Sequence, residues 1–112
     1  MGHLSLRIDL DSEGRIGPGK IALLEQIAAS GSISAGARKL GMSYKRAWDL
    51  VEEMNGIFGK PVVAAQTGGR RGGGAQLTET GLSIVARFRA IERAAEEAAA
   101  DHIAALEAER AV

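Results

Sequence analysis

Two short apolar patterns that meet at Gly41 constrain the fold of this 112-residue chain more than any other feature. Ser32 can cap a helix that runs to Leu40, and Ser43 can cap the helix that follows. Because so short a turn brings the two helices into contact, a small side chain is needed where they touch and a residue that tolerates positive φ is needed in the turn. Ala37 and Gly41 meet these requirements. The spacing therefore predicts a helix-turn-helix.

The apolar residues around this unit predict a small core and a further helix. Pro18 is suited to the first turn of a helix that Gly31 ends. On that helix we expect the inward face to carry Ile21, Leu24, Ile27 and Ala28. On the helix after the turn, which Gly59 closes, the corresponding residues are Ala47, Leu50, Val51, Met54 and Phe58. Two more core residues are expected to flank the turn, Leu40 and Met42.

Other patterns predict β-structure and one long helix. Residues 4–10 alternate apolar and polar side chains, which is typical of a half-buried strand, and turn-forming residues 11–14 follow. Residues 62–78 predict a β-hairpin around an eight-residue loop, 67–74, longer than hairpin closure requires. From the N-cap Thr78, an alanine-rich helix is expected to run to about Arg110, roughly 45 Å at 1.5 Å per residue. The predicted fold class is mainly α with a small β-hairpin, divided into a domain 1–78 and a long C-terminal helix within 79–112.

The hairpin loop is unusual because TGGRRGGGA, residues 67–75, places two arginines among five glycines. It is not a phosphate-binding P-loop, which requires Gly-Lys-Ser/Thr, because Gly74 is followed by Ala75 and Gln76. The dinucleotide fingerprint GxGxxG at the start of a helix is absent as well. Two interpretations stay open. The loop is either a disordered tip, since glycine maximises chain entropy, or a projection whose Arg70 and Arg71 reach DNA phosphates or the minor groove.

The net charge of zero argues against indiscriminate polyanion binding, but the charge is unevenly distributed. Residues 1–78 carry ten Lys/Arg and seven Asp/Glu, whereas residues 79–112 carry four and seven. Segments 31–48 and 54–78 contain basic residues and no acid, so together they can form one basic face. On the first turns of the helix after the turn, the outward residues are Asp49 and, within the first segment, Ser43, Tyr44, Lys45, Arg46 and Trp48. Since basic side chains donate to guanine and aromatic groups meet thymine methyls, this surface fits a DNA-recognition helix.

Less specific interpretations stay open for some of these side chains. Trp48 and Tyr44 lie four residues apart and can pack against each other or into a core. Arg38 and Lys39 can form an ordinary solvated helix face.

No catalytic or metal site can be assembled from the sequence. There is no cysteine, His3 and His102 are far apart, and Glu52 and Glu53 point in different directions from a helix. We therefore predict no enzyme activity, no cofactor and no metal. No apolar run approaches the ~20 residues of a membrane span and the N-terminus lacks signal-peptide features, which predicts a cytoplasmic protein.

Residues 30–55, SGSISAGARKLGMSYKRAWDLVEEMN, and residues 67–81, TGGRRGGGAQLTETG, resemble the N-terminal DNA-binding domain of ModE-type molybdate-responsive transcriptional regulators, themselves related to LysR-type domains. The resemblance covers nearly the whole chain. It implies a winged helix-turn-helix that binds a pseudo-palindromic operator in double-stranded DNA, with a link to molybdate uptake or molybdenum metabolism. The DNA contacts predicted from the residues and the resemblance together are Ser32, Ser34, Ser43, Tyr44, Lys45, Arg46, Trp48, Thr67, Gly68, Arg70 and Arg71.

The long helix carries apolar residues at a 4-3-4-3 spacing that one small domain cannot fully cover. They are Ile84, Phe88, Ile91, Ala95 and Ala98. With the N-terminal strand they predict a homodimer, which the resemblance also implies. Its two recognition helices are expected about one DNA turn, roughly 34 Å, apart.

Full-length members of the resembled family continue into an oxyanion-binding domain, and we expect this chain to act without it and without a direct response to molybdate. We then expect regulation to come from the expression level of the protein, from a separate sensor protein or from a partner on the long helix. Two alternative functions are a winged-helix protein-interaction module and a DNA-binding subunit that acts with a separate sensor protein.

Overall fold

The computed structural model describes residues 2–11, 14–66 and 74–111. These residues form four helices and four short strands, arranged as two antiparallel two-stranded sheets. In chain order the elements are β1 (Ile8–Leu10), β2 (Gly14–Ile16), α1 (Pro18–Ser30), α2 (Ile33–Lys39), α3 (Tyr44–Phe58), β3 (Val63–Gln66), β4 (Gly74–Leu77) and α4 (Glu79–Ala108). The prediction of a mainly α fold with a small hairpin and a long C-terminal helix is confirmed.

The N-terminal strand is shorter than predicted and has a partner that the sequence did not reveal. Only Ile8–Leu10 of the predicted strand 4–10 is a strand, and it pairs with β2 so that Ile8 lies opposite Ile16 and Leu10 opposite Gly14. Period-two alternation indicates which face is buried, but it does not show where a partner strand ends. β2 itself has three residues, too few for alternation to be recognised, although its Ile16 is a core residue.

The helix-turn-helix forms as the sequence predicts. The Ser32 hydroxyl accepts a hydrogen bond from the Ala35 amide at the start of α2, and the Ser43 hydroxyl accepts one from the Arg46 amide at the start of α3, both at 3.0 Å. Each bond satisfies an amide that a helix N-terminus leaves without an intrahelical partner. Gly41 lies in the turn with a φ of 69°, which a residue with a Cβ rarely adopts.

The core lies between α1, α2, α3 and the base of α4. Ala37 is buried where α2 packs, and four of the five residues predicted to face inward from α3 are buried, whereas Phe58 is only partly buried. Leu40 and Met42 pack against the core from the turn. On α1 the prediction was wrong in one residue and missed another, because Ala28 is exposed and Leu23 is buried. α1 contacts α2, α3, α4 and β4, so its buried arc is set by four neighbours that helical periodicity does not locate.

The second hairpin, β3–β4, joins α3 to α4. Val63 pairs with Leu77 and Gln66 with Gly74, so Gly74 belongs to the strand rather than to the predicted loop 67–74. Residues 67–73 lie outside the described part of the chain. α4 begins at the predicted cap, where the Thr78 hydroxyl accepts from the Gly81 amide at 3.1 Å, and runs for 30 residues to Ala108, two short of the predicted end. None of the described helices combines the length and apolar character needed to cross a membrane.

Candidate nucleic-acid interface

The N-terminal turns of α3 present a row of polar and aromatic side chains to solvent. Tyr44 is 54% exposed and Trp48 is 44% exposed, so the alternative in which the indole is a core residue is contradicted. Lys45 and Arg46 are exposed beside them, and the capping Ser43 is exposed at the helix start. The inward side of the same turns carries the buried Ala47, Leu50 and Val51. The core therefore fixes which side of α3 is offered to a partner.

A groove separates this row from the second hairpin. Its volume is about 400 Å³, and its walls are the start of α2, one side of α3 and the facing strands β3 and β4. Of the predicted contact residues, the groove brings four together, Ser32, Ser34, Tyr44 and Trp48, and it does not include Ser43, Lys45 or Arg46. The interface thus has a groove with aromatic and hydroxyl groups, beside a ridge that carries the basic side chains.

The basic side chains of α3 and of the end of α2 are exposed and only weakly engaged within the protein. Lys45 forms an ion pair with Asp49 one turn later, with 3.1 Å between Nζ and Oδ2, and both side chains are largely exposed. Such an i,i+4 pair contributes only about 0.3–0.5 kcal/mol, so exchanging Asp49 for a phosphate or a base costs little. Arg38 and Lys39 are exposed at the end of α2. Within residues 2–11, 14–66 and 74–111, no ion pair involves Arg38, Lys39 or Arg46.

The hairpin is held against the helices by a set of hydrogen bonds that the sequence did not reveal. The Ala75 amide donates to the Gly31 carbonyl at 2.7 Å, which attaches β4 to the end of α1. The Val62 amide donates to Asn55 Oδ1 at 2.8 Å, which attaches the base of β3 to α3. The Thr78 hydroxyl donates to the Pro61 carbonyl at 2.8 Å. The only sequence signal for Asn55 is that asparagine is unfavourable inside a helix unless its side chain is used elsewhere.

The predicted contacts in the hairpin loop, Thr67, Gly68, Arg70 and Arg71, lie outside the described residues and stay predictions. Among the residues that are described, no group of three side chains could hold a metal ion.

The predicted dimerisation residues on α4 differ in exposure. Phe88 is only 2% exposed, because the protomer itself covers it, while Ile84 and Ala95 are partly buried and Ile91 and Ala98 are exposed. Ile84, Phe88 and Ile91 line an apolar depression of about 470 Å³, together with Ile8 and Leu10 of the first hairpin. This depression, which we call the α4 depression, unites the N-terminal strand and the long helix in one surface.

The sequence also matches known proteins. Residues 19–82 match the family described as "Bacterial regulatory helix-turn-helix protein, lysR family". The molybdenum-pterin-binding protein MopB of Rhodobacter capsulatus is 47% identical over 92 residues, which are 81% of this chain and 34% of that protein. The molybdenum transport protein ModE of Azotobacter vinelandii is 42% identical over 87 residues, 78% of this chain and 32% of that protein. The DNA-binding transcriptional dual regulator ModE of Escherichia coli K12 is 50% identical over 68 residues, 61% of this chain and 26% of that protein.

The chain spans about a third or less of the length of these curated relatives. One solved structure, described as "Crystal structure of CbnR_DBD-DNA complex", superimposes with a TM-score of 0.60 at 19% identity, covering 79% of this chain and 95% of that one. At this identity the likeness shows the fold, and it confirms the winged helix-turn-helix. The resemblance to ModE-type proteins is confirmed by sequence identity, and the prediction that the chain is not an enzyme is confirmed by the family match to regulators. The chain belongs to the lysR family of bacterial regulatory helix-turn-helix proteins.

Proposed function

We propose that this protein is a sequence-specific DNA-binding transcriptional regulator that reads a pseudo-palindromic operator as a dimer. The observation that carries the proposal is a set of exposed side chains on the first turns of α3: Tyr44, Lys45, Arg46 and Trp48. The helix begins at the Ser43 cap, and its opposite side packs against the core. A recognition helix enters the major groove with its N-terminal residues at the base edges.

Each side chain of the row has chemistry suited to that groove. Lys45 and Arg46 can donate to guanine O6 and N7, and the rings of Tyr44 and Trp48 can meet thymine methyl groups. Ser32 and Ser34 line the neighbouring groove at the start of α2, where hydroxyl groups can donate to backbone phosphates. Arg70 and Arg71 in the hairpin loop supply positive charge for phosphates or the minor groove.

The α4 depression supports the dimer. It exposes Leu10 and Ile91, and apolar surface of this kind is stabilised when a second copy covers it. A two-fold dimer repeats the recognition helix once on each half of the operator, at a spacing of about one DNA turn, roughly 34 Å.

The link to molybdenum rests on the relatives. Proteins named for molybdenum transport and molybdenum-pterin binding share 42–47% identity with this chain. We propose that the operators lie at genes for molybdate uptake or molybdenum metabolism, and that a separate sensor protein is one route by which the response is controlled.

The proposal is tested by selecting genomic DNA fragments with the wild-type protein, sequencing them, and measuring binding to a selected duplex and to an unrelated duplex. Lys45→Ala and Arg46→Ala are each expected to weaken binding to the selected duplex by about 1–3 kcal/mol if the side chain reads a base. Arg70→Ala is expected to weaken binding to both duplexes and to reduce the salt slope by about one.

The matched control is Arg93→Ala, which removes the same charge from an exposed position on α4, outside the interface. If Lys45→Ala and Arg46→Ala behaved like this control, α3 would not be the recognition helix. If the wild type did not distinguish selected from unrelated DNA, the protein would be an interaction module rather than a sequence reader.

A further inference from the structure

The short segment between α3 and the second hairpin is held from two sides. On α3, the Oδ1 atom of Asn55 accepts a hydrogen bond from the Val62 amide at 2.8 Å. From the other side, the Thr78 amide donates to the Val62 carbonyl at 3.1 Å and the Thr78 hydroxyl donates to the Pro61 carbonyl at 2.8 Å. The Val62 side chain is fully buried. We call this segment, Pro61 and Val62, the hairpin base.

Asn55 lies on the same stripe of α3 as the aromatic residues of the interface. Tyr44, Trp48, Val51 and Asn55 follow at intervals of four, three and four residues, and all four line the groove between α3 and the hairpin. The stripe therefore begins at the proposed DNA surface and ends at the hairpin base. The amide oxygen of Asn55 is used by Val62, and its Nδ2 donates to Glu52 Oε1 at 3.3 Å.

We infer that Asn55 is a positioning residue for DNA recognition: by holding the hairpin base, it fixes the hairpin at the distance from α3 at which both can contact one DNA duplex. The inference deepens the proposed function and rests on it. Among the described residues, the bond that the Val62 amide donates to Asn55 Oδ1 is the hydrogen bond that connects the hairpin base to α3. The other strand, β4, is attached to α1 instead, through Ala75 and Gly31.

A small error at the hairpin base becomes a larger error at the far end of β3. A strand of four residues extends about 13 Å at ~3.3 Å per residue, so a rotation of about 10° at its base moves its end by about 2 Å. A charged hydrogen bond has an optimum near 2.8 Å and is lost over such a displacement. Losing the Asn55 bond therefore removes hairpin contacts to DNA without removing any residue that touches DNA.

The main variant is Asn55→Leu, which has a similar size and no acceptor. Binding to a duplex selected with the wild-type protein is measured as a function of salt concentration. We expect Asn55→Leu to weaken binding by about tenfold, the equivalent of about 1.4 kcal/mol. The salt slope is the slope of log K against log salt concentration. We expect the slope of Asn55→Leu to fall in magnitude toward that of the double variant Arg70→Ala, Arg71→Ala, whose slope is smaller by about 1.8 if each arginine meets one phosphate. Adding the two arginine substitutions to Asn55→Leu should then weaken binding by less than about twofold, because their contacts are already lost.

A charge-matched variant tests whether the acceptor is the active group. Asn55→Asp combined with Glu52→Gln keeps an oxygen for the Val62 amide, keeps the net charge and avoids two facing carboxylates. It is expected to bind within about twofold of wild type, since an aspartate oxygen accepts from an amide as well as an asparagine oxygen does. The control for stability is Ile21→Val, which removes one buried methyl group from the core side of α1 and is expected to leave the salt slope unchanged.

Folding of each variant is followed by circular dichroism and thermal unfolding. If Asn55→Leu does not fold, Asn55→Gln replaces it, since one added methylene displaces the acceptor and predicts the same loss. A salt slope like that of wild type in a folded Asn55 variant would overturn the inference, and so would failure of the charge-matched variant to restore binding. If the wild type itself shows no preference for the selected duplex, the proposed function fails first, and that outcome is distinct.

Discussion

The two halves of α4 belong to one continuous helix, yet they are held in different ways. In residues 79–92, Gly81 and Phe88 are buried, and Arg89 forms hydrogen bonds to Glu25 of α1 and to Glu92. In residues 93–108 no residue is buried, and only Ala95, Ala99 and Ile103 are even partly covered. Eight of the sixteen residues 93–108 are alanine, the strongest helix former. Tertiary contacts hold the first half in place, whereas the stability of the second half depends mainly on helix propensity and on any partner that packs against it.

The two halves therefore contribute differently to the molecule. The first half completes the domain core and carries the α4 depression, and its N-cap Thr78 holds the hairpin base. The second half buries no side chain, although the N-terminal residues Gly2, His3 and Leu4 lie beside it near Ile103. Much of its surface is therefore open to a partner. Substitutions at matched positions along α4 should therefore have unequal effects.

The largest expected effect is that of Gly81→Ala in the packed half. A Cβ at this position would overlap the Val62 carbonyl oxygen, which is backbone and cannot rotate away. We expect the free energy of unfolding to fall by about 3 kcal/mol, as for severe overpacking. The control is Gly56→Ala in α3, where no described atom beyond the surrounding helix backbone lies within 4 Å of the new Cβ, and a gain of roughly 0.5–1 kcal/mol is expected. Urea denaturation of both variants measures the contrast, and equal effects would contradict the close approach of α4 to the hairpin base.

The next largest effect concerns association. Ile91 is 46% exposed in the α4 depression, and Ile91→Glu places a charge where we propose that a second copy packs. We expect the dimer dissociation constant to rise by at least about tenfold, or 1.4 kcal/mol. Ala90→Glu adds the same charge at the neighbouring exposed position, outside the depression, and should change the dimer dissociation constant little. Sedimentation velocity over a range of concentrations tests both, and a wild type that sediments as a monomer at every concentration would refute the dimer.

How far the sequence predicts these regions depends on the range of the interactions involved. The Ser32 and Ser43 caps, the positive φ of Gly41 and the buried face of α3 were predicted, since each depends on residues within about one helical turn. Leu23 and β2 were missed because their environment is set by elements far along the chain.

The candidate site shows the same division. The exposed row on α3 follows from helical periodicity once the inward face is known. The hydrogen bond that the Val62 amide donates to Asn55 joins residues seven positions apart across a helix end, and no local pattern predicts it. Phe88 was assigned to association from its spacing alone, which cannot show that the domain already covers it.

A smaller effect is expected from the ion pairs of the packed half. Arg89 Nε donates to Glu25 Oε2 at 3.0 Å, and the hydrogen bonds that Arg89 donates to Glu25 and Glu92 raise its pKa above its ordinary value. Because the side chains of Arg89 and Glu25 are each 36% exposed, solvent screens them, and we expect Arg89→Met to cost about 1 kcal/mol of unfolding free energy. A raised pKa contributes stability that is fully present at every pH below the pKa of the unfolded state, so this loss should be constant from about pH 6 to 9. Arg93→Met in the exposed half is the control; thermal unfolding that showed equal losses would remove the distinction between the halves.

The smallest expected effect is the most direct test of that distinction. Ala86 and Ala98 are both exposed alanines within α4, twelve residues apart, and glycine at either position costs about 1 kcal/mol of local helix stability. In the packed half, helix unfolding and domain unfolding are coupled, so Ala86→Gly should lower the free energy of unfolding of the whole domain by nearly that amount. In the exposed half the helix can fray while the domain stays folded, so Ala98→Gly should lower it by less than about 0.3 kcal/mol when the protein is dilute and monomeric. At concentrations where the dimer forms, the second half becomes ordered by its partner, and the cost of Ala98→Gly should rise toward that of Ala86→Gly. Urea unfolding at two protein concentrations measures this change, and a concentration-independent cost near 1 kcal/mol at Ala98 would mean that the second half folds with the domain and needs no partner.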